Sequence, residues 1–146
     1  MVRDWLIRAA VFCLALTGSA VAADHAVILE YHHVGTDTPA ATSVTPATFE
    51  AHLDYLAEHD FRVWPLSRVL GYLERGKALP ENTVALTFDD AYESVYRAAF
   101  PRLRERGWPF TVFVSTDYID KGYSNYMSWA QLRELGQNGA ELGNHS

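Results

Sequence analysis

Cysteine is nearly absent from this chain of 146 residues, and the only one, Cys13, lies in an apolar stretch near the start. That excludes an internal disulfide and a thiolate-built metal centre, so any metal must be held by Asp, Glu or His. Positive charge is scarce as well. Twelve Lys and Arg stand against eighteen Asp and Glu, a formal charge of −6, which argues against a nucleic-acid partner because such binding relies on basic patches. The one basic run, Arg102-Leu103-Arg104-Glu105-Arg106, reads as the solvated face of a helix. No apolar run is long enough for a comfortable membrane span. The run that exists, Ala9 to Leu16, follows Arg3 and Arg8 and precedes Ala20-Val21-Ala22. This is the layout of a secretory leader, so residues 1–23 are expected to be a signal peptide. The remainder is then secreted or periplasmic, with no stable membrane span after cleavage.

Apolar residues make up 49% of the chain, enough for one modest core. Strand and helix signals alternate. Ala26 to Tyr31 reads as a buried strand; Thr45-Pro46 opens a helix to about His59, with Phe49, Leu53 and Leu56 on one face. Phe61 to Trp64 is a short strand, and Ser67 caps a helix carrying Val69, Leu70 and Leu73. Thr83 to Phe88 is the next strand. Tyr92 to Arg106 is a helix that Pro101 should kink or restart and Gly107 should end. Phe110 to Val114 is a strand by its β-branched and aromatic content. A polar loop, Ser115 to Met127, leads to a helix capped by Ser128 (Trp129 to Gln137) and a last strand, Gly139 to Gly143. With no internal repeat, this order predicts a parallel α/β architecture with right-handed crossovers. About five strands are present, too few for a closed barrel of eight, so the expectation is a partial or distorted (β/α) barrel, truncated before completion.

In such folds functional groups gather at the C-terminal ends of strands. His32 and His33, Asp89 and Asp90, and His145 all stand at such ends. Two adjacent carboxylates are costly to desolvate without a cation between them. On an extended backbone they diverge, leaving one to bind a metal and the other to accept a proton. The competing reading is that the pair merely caps the helix near Tyr92. Of His32 and His33, adjacent in sequence, at most one is expected to point inward. Tyr92, Tyr118, Tyr123, Tyr126 and Trp129 are candidates for a sugar groove or for plain packing, and no substrate-binding residue is assigned.

Leu86-Thr87-Phe88-Asp89-Asp90 and Asn144-His145-Ser146 resemble the first two motifs of the polysaccharide deacetylases (carbohydrate esterase family four), nearest to the secreted poly-β-1,6-N-acetylglucosamine deacetylase branch. The opening Ile28-Leu29-Glu30-Tyr31-His32-His33-Val34 is similar to that of its secreted bacterial members. The resemblance covers nearly all of residues 24–146, read as the N-terminal part of such a domain. It implies hydrolysis of N-acetyl groups from an N-acetylglucosamine-containing polysaccharide. Asp89 is then the catalytic base, and Asp90 and His145 bind a divalent metal: zinc, or cobalt or nickel in the same geometry. The second metal histidine and the general-acid histidine of the family belong to motifs beyond Ser146, so the segment alone is expected to be inactive. Ala91 stands where the family usually has glycine; its methyl is harmless if φ is ordinary and strained if φ is positive. The rival readings are a non-catalytic carbohydrate-binding or scaffold fragment, and another Asp/His metal hydrolase such as a phosphoesterase.

Overall fold

Thr83–Phe88 is buried at every position, as expected of a strand covered on both faces, and the sheet is built around it. The computed structural model describes residues 22–146, so the expected leader lies almost entirely outside the described residues. In chain order the elements are β1 (Ala22–Ala23), β2 (Val27–Tyr31), β3 (His33–Val34), β4 (Ser43–Val44), α1 (Pro46–Glu58), β5 (Arg62–Val63), α2 (Leu66–Glu74), β6 (Leu79–Pro80), β7 (Thr83–Phe88), α3 (Phe100–Arg106), β8 (Phe110–Val114), α4 (Thr116–Asp120), α5 (Trp129–Gln137) and β9 (Ala140–Asn144). Five parallel strands form the main sheet, in the order β2-β7-β8-β9 with β5 against the start of β7. This is the partial (β/α) barrel the alternation predicts. No helix among the described residues is long and apolar enough to cross a membrane.

Alternation along the strands divides the sheet into two chemically different faces. On one, Leu86 and Phe88 of β7 and Phe110 and Val112 of β8 pack with Phe49, Leu53 and Leu56 of α1, Leu103 of α3, and Leu132 and Leu135 of α5. Phe88 is the hub: Tyr31 stacks on it at 5.4 Å, while Phe49 and Phe110 meet it edge-on at 5.9 and 5.7 Å. On the other face α2 contributes Val69 against Ala85. Above them Glu30, Thr87, Thr111 and Glu141 are paired in one row across four strands. Glu141 accepts from Thr111 Oγ1 at 3.1 Å and from the backbone N–H and hydroxyl of Ser67, tying β9 to the start of α2.

Local signals explain most boundaries. Thr45 accepts from Thr48 N–H at 3.0 Å at the start of α1, and Ser128 forms a reciprocal capping box with Gln131 at the start of α5. Pro101 cannot donate a helical hydrogen bond. The turn before it, Val95–Ala99, widens to π geometry so that Phe100 N–H reaches Val95 O, and Gly107 closes α3 at φ 64°.

Of the leucines α2 carries, Leu70 and Leu73 are about two-fifths exposed, leaving Val69 as its buried residue. Two expectations are corrected. Ser67 does not cap α2, which starts at Leu66; its donors go to Glu141 instead. The basic run is not a freely solvated face: Arg102 pairs with Glu50, and Arg106 with Glu50 and Asp54, joining α3 to α1.

Gly143 is required by a close approach. A Cβ there would lie 2.6 Å from Cδ1 of Phe113, its partner on β8. Gly143→Ala should therefore force that ring aside and cost about 1–3 kcal/mol, seen as a lower denaturant midpoint. His145, two residues on, should shift its NMR signals with it.

Candidate metal and catalytic site

The strand ends deliver four side chains to one place. Asp89 follows β7, and its N–H donates to Tyr31 O at 2.9 Å, extending the β2–β7 ladder by one step. His145 follows β9, and its N–H donates to Val114 O at 3.1 Å, so the imidazole is fixed to the rim of β8. His32 follows β2, on the opposite side of β7 from β9.

The chain then breaks from strand geometry. Asp90 and Ala91 both adopt positive φ, 67° and 59°, a region that costs an L-residue with a Cβ roughly 1–2 kcal/mol. The turn is held by the loop after α4. Met127 N–H donates to Ala91 O at 2.8 Å, Glu93 N–H donates to Asn125 O at 2.9 Å, and Tyr92 bridges to Tyr126. Because Asp90 has left the strand, the two carboxylates do not diverge as expected. They converge on one imidazole. Asp89 Oδ2 lies 3.6 Å from His145 Nε2, and Asp90 Oδ1 lies 3.9 Å from His145 Nδ1. His32 Nε2 approaches Asp89 Oδ2 from the other side at 3.9 Å.

Helix capping does not account for the pair. Asp90 Oδ1 accepts from the Ser115 hydroxyl at 2.9 Å, and the side chains of both aspartates remain only about one-fifth exposed. Ser115 was not singled out from sequence, although it follows β8 just as Asp89 follows β7. Glu30 was also missed. Its carboxylate, His32 and Asp89 present ligand atoms within 4.8 Å of one another; the two-residue alternation from Glu30 on β2 to His32 just after it was the available signal.

His33 faces away from this cluster. It is buried, stacks on Tyr92 at 3.7 Å and meets Ser94 Oγ at 3.4 Å. Burial, helped by neighbouring His32, pulls its pKa below the ordinary imidazole value against the pull of Asp90 and Asp37. Burial also drives the Tyr92 phenol well above its usual 10.0, with Tyr126 and Asp90 adding to the shift. So of the adjacent pair one imidazole reaches the carboxylates and the other is a packing element.

The donor set suits a borderline divalent cation. Asp90 Oδ1 and His145 Nδ1 are close enough for one ion to touch both, since zinc bonds to oxygen and nitrogen run about 2.0–2.2 Å. Oxygen and nitrogen donors of this kind accept zinc, cobalt or nickel.

Residues 76–146 match the family described as Polysaccharide deacetylase. Over those residues the chain is similar to a polysaccharide deacetylase domain. The chain is 33% identical over 102 residues to the poly-beta-1,6-N-acetyl-D-glucosamine N-deacetylase of Staphylococcus epidermidis, covering 66% of this chain and 34% of that protein. The solved structure of IcaB from Ammonifex degensii superimposes with a TM-score of 0.76 at 32% identity, over 85% of this chain and 54% of that one. The fold alone is shared with Streptococcus pyogenes deacetylase PplD, at a TM-score of 0.74 and 24% identity, over 88% of this chain and 57% of that one. The chain spans between about a third and two-fifths of the length of the curated relatives it matches. Its parallel α/β sheet is thus part of the larger deacetylase barrel, as the motif resemblance implied.

Proposed function

We propose that the protein carrying this segment removes N-acetyl groups from an N-acetylglucosamine-containing polysaccharide by metal-dependent hydrolysis. The observation that carries this reading is the meeting of Asp89, Asp90 and His145 within 4 Å at the sheet's C-terminal rim. Asp90 and His145 are the ligands. A bound divalent ion would polarise the acetamide carbonyl and make a nearby water more acidic. Asp89, beside the ligands but free of them, accepts the proton of the attacking water. Ser115 fixes the orientation of Asp90 by donating to the same oxygen that faces His145.

Departure of the amine needs a proton donor. The motif resemblance places that histidine beyond Ser146, while His32 flanks Asp89 on the side away from His145. The donor role stays with that later histidine, and His32 is read as a neighbour of the base. A second reading is favoured by one observation, the grouping of Glu30, His32 and Asp89, which would put the ion on the β2 side instead. His32→Ala separates the two: metal affinity is kept under the first assignment and lost under the second. The leader-like residues 1–23 support export to the periplasm or cell exterior, where such polymers are found.

The deciding experiment is acetate release from β-1,6-linked N-acetylglucosamine oligomers by an active form of the domain. Activity should vanish on chelation and return with zinc, cobalt or nickel. Phosphate release from phosphoesters without acetate release would replace this reading with the phosphoesterase one. Ser115→Ala should lower metal affinity about tenfold by freeing Asp90 to rotate, measured by competition with a chelating dye.

A further inference from the structure

Four tyrosines form a contiguous cluster that begins at the candidate site and ends in solvent, with one parallel-stacked pair at its centre. Tyr92 lies 4.8 Å from Tyr126, and Tyr126 stacks on Tyr118 at 4.7 Å with the rings only 14° from parallel. Tyr123 completes the group, 5.8 Å from Tyr118 and 6.4 Å from Tyr126. The inner end is fixed to the chemistry: Tyr92 follows the Asp90–Ala91 turn, and Tyr118 stands three residues after Ser115, which holds Asp90.

The outer end is what packing does not explain. Tyr118, in α4, and Tyr123, in the loop that follows it, are 43% and 51% exposed. Beside Tyr123 and Tyr126 lies a cleft of about 460 Å³ also lined by Glu93, Arg97, Ser128 and Gln131. Ring faces next to a few convergent hydrogen-bonding groups are the composition of a small-ligand site. They suit a pyranose, which has an apolar C–H face and a rim of hydroxyls. A neutral N-acetylated sugar also needs no counter-charge, consistent with the pairing of Arg97 to Glu93 at 2.8 Å.

We propose that Tyr118, Tyr123 and Tyr126 form a stacking platform for sugar units that neighbour the one reacting at Asp89 and Asp90. The platform selects a polymer over a single sugar, and it rests on the deacetylase reading above.

The test is equilibrium binding of the 146-residue chain to a six-unit β-1,6-linked N-acetylglucosamine oligomer and to the N-acetylglucosamine monomer. The double variant Tyr118→Ala/Tyr123→Ala should weaken hexamer binding about tenfold. Its monomer binding should stay unchanged, with binding measured well below the melting temperature of each form. Tyr118→Phe/Tyr123→Phe keeps the rings and should bind the hexamer as the parent does. Equal hexamer affinity in parent and Ala variant overturns the platform, and so does an equal loss in the Ala and Phe variants. Absence of acetate release from every active form would remove the deacetylase reading, while the hexamer comparison would still decide whether the tyrosines hold sugar.

Discussion

Asp89→Asn should lower acetate release by two to four orders of magnitude in an active form of the domain, with the metal still bound. The substitution keeps size and polarity but removes the oxygen that takes a proton, and general-base catalysis contributes about 10²–10⁴ in rate. At about 1.4 kcal/mol per tenfold, that raises the barrier by about 3–5 kcal/mol. Asp90→Asn makes the contrast. Asp90 Oδ1 is bonded to Ser115 and faces His145 Nδ1, so its loss should show first in metal content. Parallel assays of bound zinc and released acetate read the two roles separately. Zinc lost from Asp89→Asn and retained in Asp90→Asn would reverse the assignment.

The second large effect concerns folding. Ala91 is fully buried and sits at φ 59°. Ala91→Val adds a β-branched side chain where positive φ crowds it against its own backbone, and it inserts two methyl groups into a packed interior. Together these should cost about 3 kcal/mol, a large part of the 5–15 kcal/mol by which domains are typically stable, and lower the melting temperature by about 10 °C. Ala91→Gly removes a strain of about 1–2 kcal/mol. It also gives up a buried methyl worth about 0.8 kcal/mol and orders a freer backbone at about 0.5–1 kcal/mol. Its melting temperature should stay within a few degrees of the parent. Thermal unfolding followed by circular dichroism checks both; Ala91→Val melting like the parent would show that the turn relaxes without cost.

The positive φ at Ala91 also shows where sequence reasoning reached its limit. The family resemblance raised the question of a glycine-like position, but Asp and Ala do not themselves announce left-handed backbone, so only the structure answers it. β7 and β8 were legible to the residue because strands covered on both faces are dense in apolar, β-branched and aromatic residues. α5 was legible through its Ser128 cap. α4 was not: five residues, Thr116–Asp120, are too few to show a helical period. The two-residue pairs β1–β6 and β3–β4 come from tertiary proximity and leave no local pattern. At the site, the gathering of Asp89, Asp90 and His145 followed from the strand-end rule. The convergence of the two carboxylates did not, since it depends on a turn held by Met127 and Asn125, more than thirty residues away. Ser115 was invisible because one serine at the start of a polar stretch looks like any other, whereas Glu30, the lone charge in an apolar strand, carried a signal that was not used.

That lacing has a dynamic consequence. The amides of Glu93 and Met127 are donors in the two bonds that hold the aromatic loop to the Asp90–Ala91 turn, and neither bond belongs to a helix or a long strand ladder. Local openings expose contiguous groups of amides together. The two protons, distant in sequence, should therefore exchange with deuterium at a common rate, faster than the amides within β7. Loop and turn would then behave as one opening unit, so that when the tyrosine cluster swings out the metal-facing carboxylate loosens with it.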